Sequence, residues 1–174
     1  EWNQNPGGKE ATVERPPFEI YEIGAVELNE EREEVAEFHR IIRPCVYRQM
    51  HRIISEVTHV SIEELERDGE PFAAVMEDFL KWCGEDCIFC TWGSMDLTEL
   101  QRNMVYHGMT IPFPKPFLFY DVQKLYSLCY QDGKARISLD EAVESFALDV
   151  DAPFHRALGD AEYTGRVLQA MDFD

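Results

Sequence analysis

The apolar positions of this chain change period several times, and the changes mark its elements. Phe18 to Leu28 (FEIYEIGAVEL) carries Ile20, Gly24 and Val26 among its apolar positions and predicts a strand. A charged turn at 29–34 follows, then Val35 to Ile42 alternates as a second strand that ends before Pro44. Together they predict an antiparallel hairpin. The period then lengthens. Met50, Ile53, Ile54 and Val57 share one helical face, and Ser61 before Ile-Glu-Glu reads as the N-cap of a short helix. Pro71 suits the first turn of a longer helix bearing Phe72, Val75, Met76, Phe79, Leu80 and Trp82. Cys87 to Trp92 is a short apolar strand, Gly93 and Ser94 turn the chain, and Met95 to His107 returns as helix. Ile111 to Phe117 holds three prolines and is an extended connection. Leu118 to Val122 is strand-like and runs into a helix containing Leu125 and Leu128. A turn at 131–134 precedes a capping box at Ser138–Glu141, which starts a helix to about Leu148. Asp151 to Phe154 is a loop. The last helix runs to about Asp172 with an apolar stripe at Ala157, Ala161, Thr164, Leu168 and Met171. Strands, helices, strand, helix, strand, helices in that order predict an α/β fold with a mixed sheet.

The length, 174 residues, predicts one domain over 1–174. No run of about 18 apolar residues predicts a membrane span. The formal net charge of −18 changes the picture more. Such a chain does not hold a polyanion by bulk electrostatics; bound cations or a local basic patch must reverse the field. The acid is concentrated at Glu27, Glu30, Glu31, Glu33, Glu34 and Glu37, and again at Glu63, Glu64, Glu66, Asp68 and Glu70, as solvated faces. Candidate basic patches are Arg40, Arg43, Arg48, His51 and Arg52, and Lys134, Arg136 and Arg156; the alternative for each is a surface counter-charge to the acidic runs. Five cysteines, an odd number, argue against a disulfide framework and for a reducing cytoplasm. Cys83, Cys87 and Cys90 raise the alternative of a zinc-stabilised domain, against which no second Cys-x-x-Cys follows.

Candidate chemistry is carried by few residues. Asp160 lies five residues after His155 at the edge of the last apolar stripe, where a carboxylate needs a cationic or metal partner. Arg156 is one such partner. His155 alone reads more readily as a structural or solvated loop residue. Asp96 follows directly on a buried strand, where functional residues collect in α/β sheets; read plainly, it is an N-cap in a capping box with Glu99. Glu1 by itself is a terminal glutamate.

Taken in order along the chain, these segments resemble the DEDDh 3′-to-5′ exonucleases, the superfamily of RNase T, oligoribonuclease and proofreading exonucleases, and most of all the histone-mRNA 3′ exonuclease branch. The resemblance rests on Glu19 to Val26 (EIYEIGAV), Phe38 to Pro44 (FHRIIRP), Trp92 to Asp96 (WGSMD), Asp121 to Leu125 (DVQKL), Ser138 to Ala142 (SLDEA), and His155-x4-Asp160 with Tyr163 and Thr164. The His-x4-Asp spacing alone is weak; the ordered set is specific. It implies an RNase H-like mixed sheet flanked by helices. The family's Asp-x-Glu motif would end at Glu1, which places its aspartate and the first, central strand upstream of residue 1. The domain as given would then be truncated at its N-terminus.

What the resemblance implies is a metal-dependent 3′-to-5′ exonuclease. It would hydrolyse phosphodiester bonds at a free 3′ end of single-stranded nucleic acid, RNA ahead of DNA, and release 5′-mononucleotides. Two divalent ions, Mg²⁺ or Mn²⁺, would be held by Glu1 and Asp160, with Asp96 acting mainly through coordinated water. His155 would be the general base, and its loop would let it swing in on bound substrate. Trp2, Asn3 and Arg156 would contact the terminal nucleotide. The reading from another class is a non-catalytic regulatory or binding module that keeps the exonuclease fold.

Overall fold

A computed structural model describes residues 16–113 and 117–173. Glu1, Trp2 and Asn3 lie outside the described residues. The element order is β1 (Glu22–Leu28), β2 (Glu34–Ile41), α1 (Arg52–Thr58), α2 (Ile62–Asp68), α3 (Phe72–Cys83), β3 (Phe89–Thr91), α4 (Met95–Tyr106), β4 (Phe119–Asp121), α5 (Val122–Tyr130), α6 (Leu139–Ser145) and α7 (Ala157–Ala170). All the predicted helices and strands are present, several of them shorter than expected. The fold is α/β.

Among the described residues the strands form two small sheets, β1 with β2 and β3 with β4. β1 and β2 are joined by a tight turn, in which the Asn29 and Arg32 N–H groups donate to Glu33 O and Asn29 O, each at 2.9 Å. So short a link makes an antiparallel hairpin. β3 and β4 pair in parallel, Phe89 opposite Phe119 and Thr91 opposite Asp121. The expected first strand starts later because Phe18 and Ile20 turn to α4: Asn103 Nδ2 donates to Phe18 O at 2.9 Å, and the Ile20 N–H donates to Asn103 Oδ1 at 3.2 Å.

The chain divides into two compact units, each assembled from three segments. The described part of the first comprises residues 16–22, 40–83 and 95–113. Its buried side chains include Ile42, Val60, Leu65, Phe72, Val75, Met76, Phe79, Leu97, Leu100 and Met104. A parallel bridge between Ile42 and Glu70 ties the residue after β2 to the link between α2 and α3. Phe72 stacks on His107 at 4.5 Å, and burial pushes the His107 imidazole below its ordinary value.

The described part of the second unit comprises residues 23–39, 84–94 and 117–173. Its core is one cluster of Val122, Tyr126, Ala142, Val143, Tyr163, Val167 and Met171. α6 is capped as its sequence predicts: Ser138 N–H and Oγ both reach Glu141 Oε2, at 2.9 and 2.8 Å. It ends at Ser145 rather than near Leu148, because Ala147 takes a positive φ of 50° there.

Candidate active site

The helix that carries Asp160 is placed by its own second turn and by β1. α7 buries Gly159, Tyr163, Thr164, Gly165 and Val167, with Met171 just beyond its end. Of the predicted stripe, Thr164 and Met171 are buried and Ala157, Ala161 and Leu168 only half-buried, and the buried face is centred on Tyr163 and Val167. Apolar periodicity misses this because the deciding side chain is an amphipathic tyrosine. Tyr163 is fully buried, and its hydroxyl both accepts from Ala152 N–H at 2.8 Å and donates to Ala152 O at 2.6 Å. Phe154 packs on its ring at a centroid distance of 4.6 Å.

Gly24 seats the other end of the helix. A Cβ added there would overlap the backbone of Ala157 and Leu158, atoms that cannot rotate away. β1 thus meets the first turn of α7 backbone to backbone, three residues from Asp160. Gly24 belongs to a motif quoted above, yet nothing in the sequence shows what it faces.

His155 and Asp160 are brought together. His155 sits in the loop before α7 with a left-handed φ of 68°, and its backbone N–H donates to Asp160 Oδ1 at 2.9 Å. Asp160 is half-buried in the first turn, where the helix N-terminus favours negative charge. The His155 imidazole is exposed. Its loop is clamped further by Arg166, whose guanidinium forks onto Asp151 at 2.7 and 3.0 Å and lies 5.4 Å over the Tyr163 ring. Hydrogen bonding from Arg166 holds the Asp151 carboxyl below its usual range. Arg156 is the N-cap of α7 but makes no side-chain cap bond.

Asp96 belongs to the other unit and stands in the first turn of α4, exposed. Asp96 is the second residue of α4 rather than the residue before it, so it does not hold the N-cap position. Glu99 is buried and turns Oε1 to Arg102 at 2.5 Å, while Oε2 has no partner among the described residues. α4 is instead fixed by Asn103, a fully buried residue that the sequence does not single out. Asn103 Nδ2 donates to Phe18 O and to Glu99 O, each at 2.9 Å.

Of the first basic patch, Arg40 pairs with Glu70 at 3.6 Å and Arg52 with Glu56 at 3.2 Å. His51 Nδ1 caps α1, accepting from Ile53 N–H at 3.3 Å. Among the described residues no three His, Cys, Asp or Glu side chains converge on one point. Carboxylate oxygens such as those of Asp96 and of Asp160 are the ligand type that hard divalent ions take.

Comparison with known proteins gives this arrangement a family. Residues 9–168 match the RNase T family, described as exonuclease. The chain belongs to the RNase T exonuclease family. Among solved structures, the nuclease domain of 3′hExo, a DEDDh family member bound to rAMP, aligns with a TM-score of 0.74 and 22% identity over 87% of this chain and 79% of that one. A 3′-exonuclease in a structure of 3′-end specific recognition of histone mRNA stem-loop aligns at 0.73 and 21%, over 86% and 69%. Cell-death related nuclease 4 aligns at 0.68 and 17%, over 87% and 55%. No curated protein matches the sequence. The fold of this RNase T exonuclease is thus the DEDDh fold that the ordered motifs imply, and the chain is a nuclease by family.

Proposed function

We propose that the protein is a metal-dependent 3′-to-5′ exonuclease that shortens single-stranded nucleic acid, RNA ahead of DNA, and releases 5′-mononucleotides. The observation that carries the reading is the His155–Asp160 pair, locked at the start of α7 in a chain that matches the exonuclease family along most of its length. Binding of rAMP by one structural neighbour and of an RNA stem-loop 3′ end by another supports RNA as the substrate.

Asp160 and Asp96, with Glu1, would hold two divalent ions, Mg²⁺ or Mn²⁺. Bound there, such ions supply a nucleophile at neutral pH and stabilise charge on the scissile phosphate. Asp160 gives one oxygen to the His155 N–H and thereby ties the metal-binding carboxylate to the loop that bears the base. The exposed imidazole of His155 takes the proton from water. Trp2 stacks on the terminal base, and Asn3 and Arg156 contact its nucleotide. The odd number of cysteines supports a reducing, cytoplasmic location, which cell fractionation would test.

The decisive experiment uses protein from the whole reading frame, its Asp160→Ala variant, a 5′-labelled single-stranded RNA and Mn²⁺. The expected result is a ladder shortening from the 3′ end, abolished by EDTA and by the substitution. Intact RNA and DNA in every lane would leave a non-catalytic module with an exonuclease fold.

A further inference from the structure

The loop between α5 and α6 carries two cations whose charge nothing nearby uses. In residues 133–139 exposure alternates: Lys134 and Arg136 are exposed, while Gly133, Ala135, Ile137 and Leu139 turn inward. Lys134 and Arg136 lie two residues apart, and both are exposed beside the turn that Asp132 closes. In a chain of net charge −18 most exposed cations would be expected to find a carboxylate, yet neither side chain makes an ion pair among the described residues.

The acids in this neighbourhood are occupied elsewhere. Asp132 Oδ1 accepts the N–H groups of Lys134 and Ala135, each at 2.8 Å. Glu141 is taken by the Ser138 cap, and Asp140 is held below its usual range first by the Ser138 hydroxyl. The loop is also rigidly mounted. Lys124 Nζ donates to Gly133 O, and Gln123 Nε2 and Trp92 Nε1 both donate to Ile137 O, at 2.7 and 3.3 Å. Trp92 follows directly on the carboxyl end of β3 and Gln123 is the second residue after β4, at the end of a parallel sheet where ligands bind. His155 belongs to the same unit and is close enough to Asp140 to act on its charge.

We infer that Lys134 and Arg136 form a track for the sugar-phosphate backbone, taking two neighbouring phosphates of the strand upstream of the 3′ end. The inference rests on the exonuclease reading and adds to it the place where an acidic protein grips a polyanion. The track reads charge and spacing, not sequence, as backbone contacts do. It acts on strands long enough to reach beyond the terminal nucleotide.

The test is fluorescence anisotropy with a labelled single-stranded RNA ten-mer and a dinucleotide, titrated from low to moderate salt in Ca²⁺, together with cleavage of both in Mn²⁺. The double variant Lys134→Ala/Arg136→Ala is expected to lose about tenfold or more in ten-mer affinity at low salt. Its plot of log affinity against log salt should be shallower by about 1.4, two phosphates at roughly 0.7 each on a single strand. Its preference for ten-mer over dinucleotide in kcat/KM should fall by a similar factor. The swap Lys134→Arg/Arg136→Lys should keep wild-type affinity and slope, and an unchanged Tm of the alanine variant shows that its fold is intact. A wild type that shortens RNA, beside an alanine variant with equal affinity and slope, overturns the track alone. A wild type that neither binds nor shortens either RNA overturns the exonuclease reading and the track with it.

Discussion

Helices α7 and α1 show two ways of holding a helix, and the difference explains where chemistry can be placed. α7 has 14 residues and buries a face around Tyr163 and Val167, and its first turn rests on the Gly24 backbone. α1 has 7 residues and buries none of them. Its apolar Ile53 and Val57 are 50% and 42% exposed. It is closed by short-range bonds: the His51 cap, the Thr58 hydroxyl on Ile54 O at 2.8 Å, the Ser55 hydroxyl on Val60 O at 3.0 Å, and a left-handed His59 at φ 56°. A helix this short is marginal by itself and depends on packing for most of its stability. Asp160 stands on the helix whose position is over-determined. Under the proposed function Asp160 must be placed reproducibly, and a group with that task needs such support.

Substitution at Gly24 should break the contrast most severely. Gly24→Val drives a branched side chain into the backbone of Ala157 and Leu158, and no rotamer relieves it. The expected loss is about 4 kcal/mol or more, the range reserved for such overpacking, read as a collapse of soluble folded protein or of the urea midpoint. A Gly24→Ala protein as stable as wild type would show that β1 and α7 do not meet as described.

Tyr163→Phe is a finer cut. It keeps the ring and removes both hydrogen bonds to Ala152, leaving a peptide group without its partner. The expected cost is about 1–3 kcal/mol. Cleavage should suffer beyond the stability loss, because the freed loop carries His155. A variant with wild-type urea midpoint would reduce Tyr163 to a space-filler. At the small end, Ile53→Ala on α1 should change stability by no more than about 0.5 kcal/mol, since the side chain is already half in water. A larger loss in the same urea titration would mean that α1 is covered by something in solution, and the comparison would have to be redrawn.

Much of this organisation is legible residue by residue. The Ser61 cap of α2, the Ser138–Glu141 capping box and the turn at Asp132 all form where their residue types ask for them. The hairpin appears because alternation on both sides of a polar turn admits few other solutions. The His155–Asp160 spacing was equally visible. Misreadings cluster where a residue has two plausible partners. Asp96 and Glu99 have the spacing of a capping box, but Arg102, one turn further on, offers Glu99 a charged partner and takes its carboxylate. The predicted stripe of α7 is half right: Thr164 and Met171 are buried, but Ala157, Ala161 and Leu168 yield the centre of the face to Tyr163, whose ring is larger and whose hydroxyl finds the Ala152 peptide.

The sequence by itself determined the order of elements, their caps and turns, and the family to which the ordered motifs point. Those features depend on hydrogen bonds and apolar repeats within a few residues, and local chemistry is written locally. Only the tertiary structure decided which face of α7 is buried, that Gly24 must lack a side chain beneath Leu158, and that Asn103 fixes α4 to Phe18. The last two contacts join residues more than 80 positions apart, and their geometry is set by backbones in close approach and by buried polar groups that must find a partner. No period along the chain records where such a partner will be.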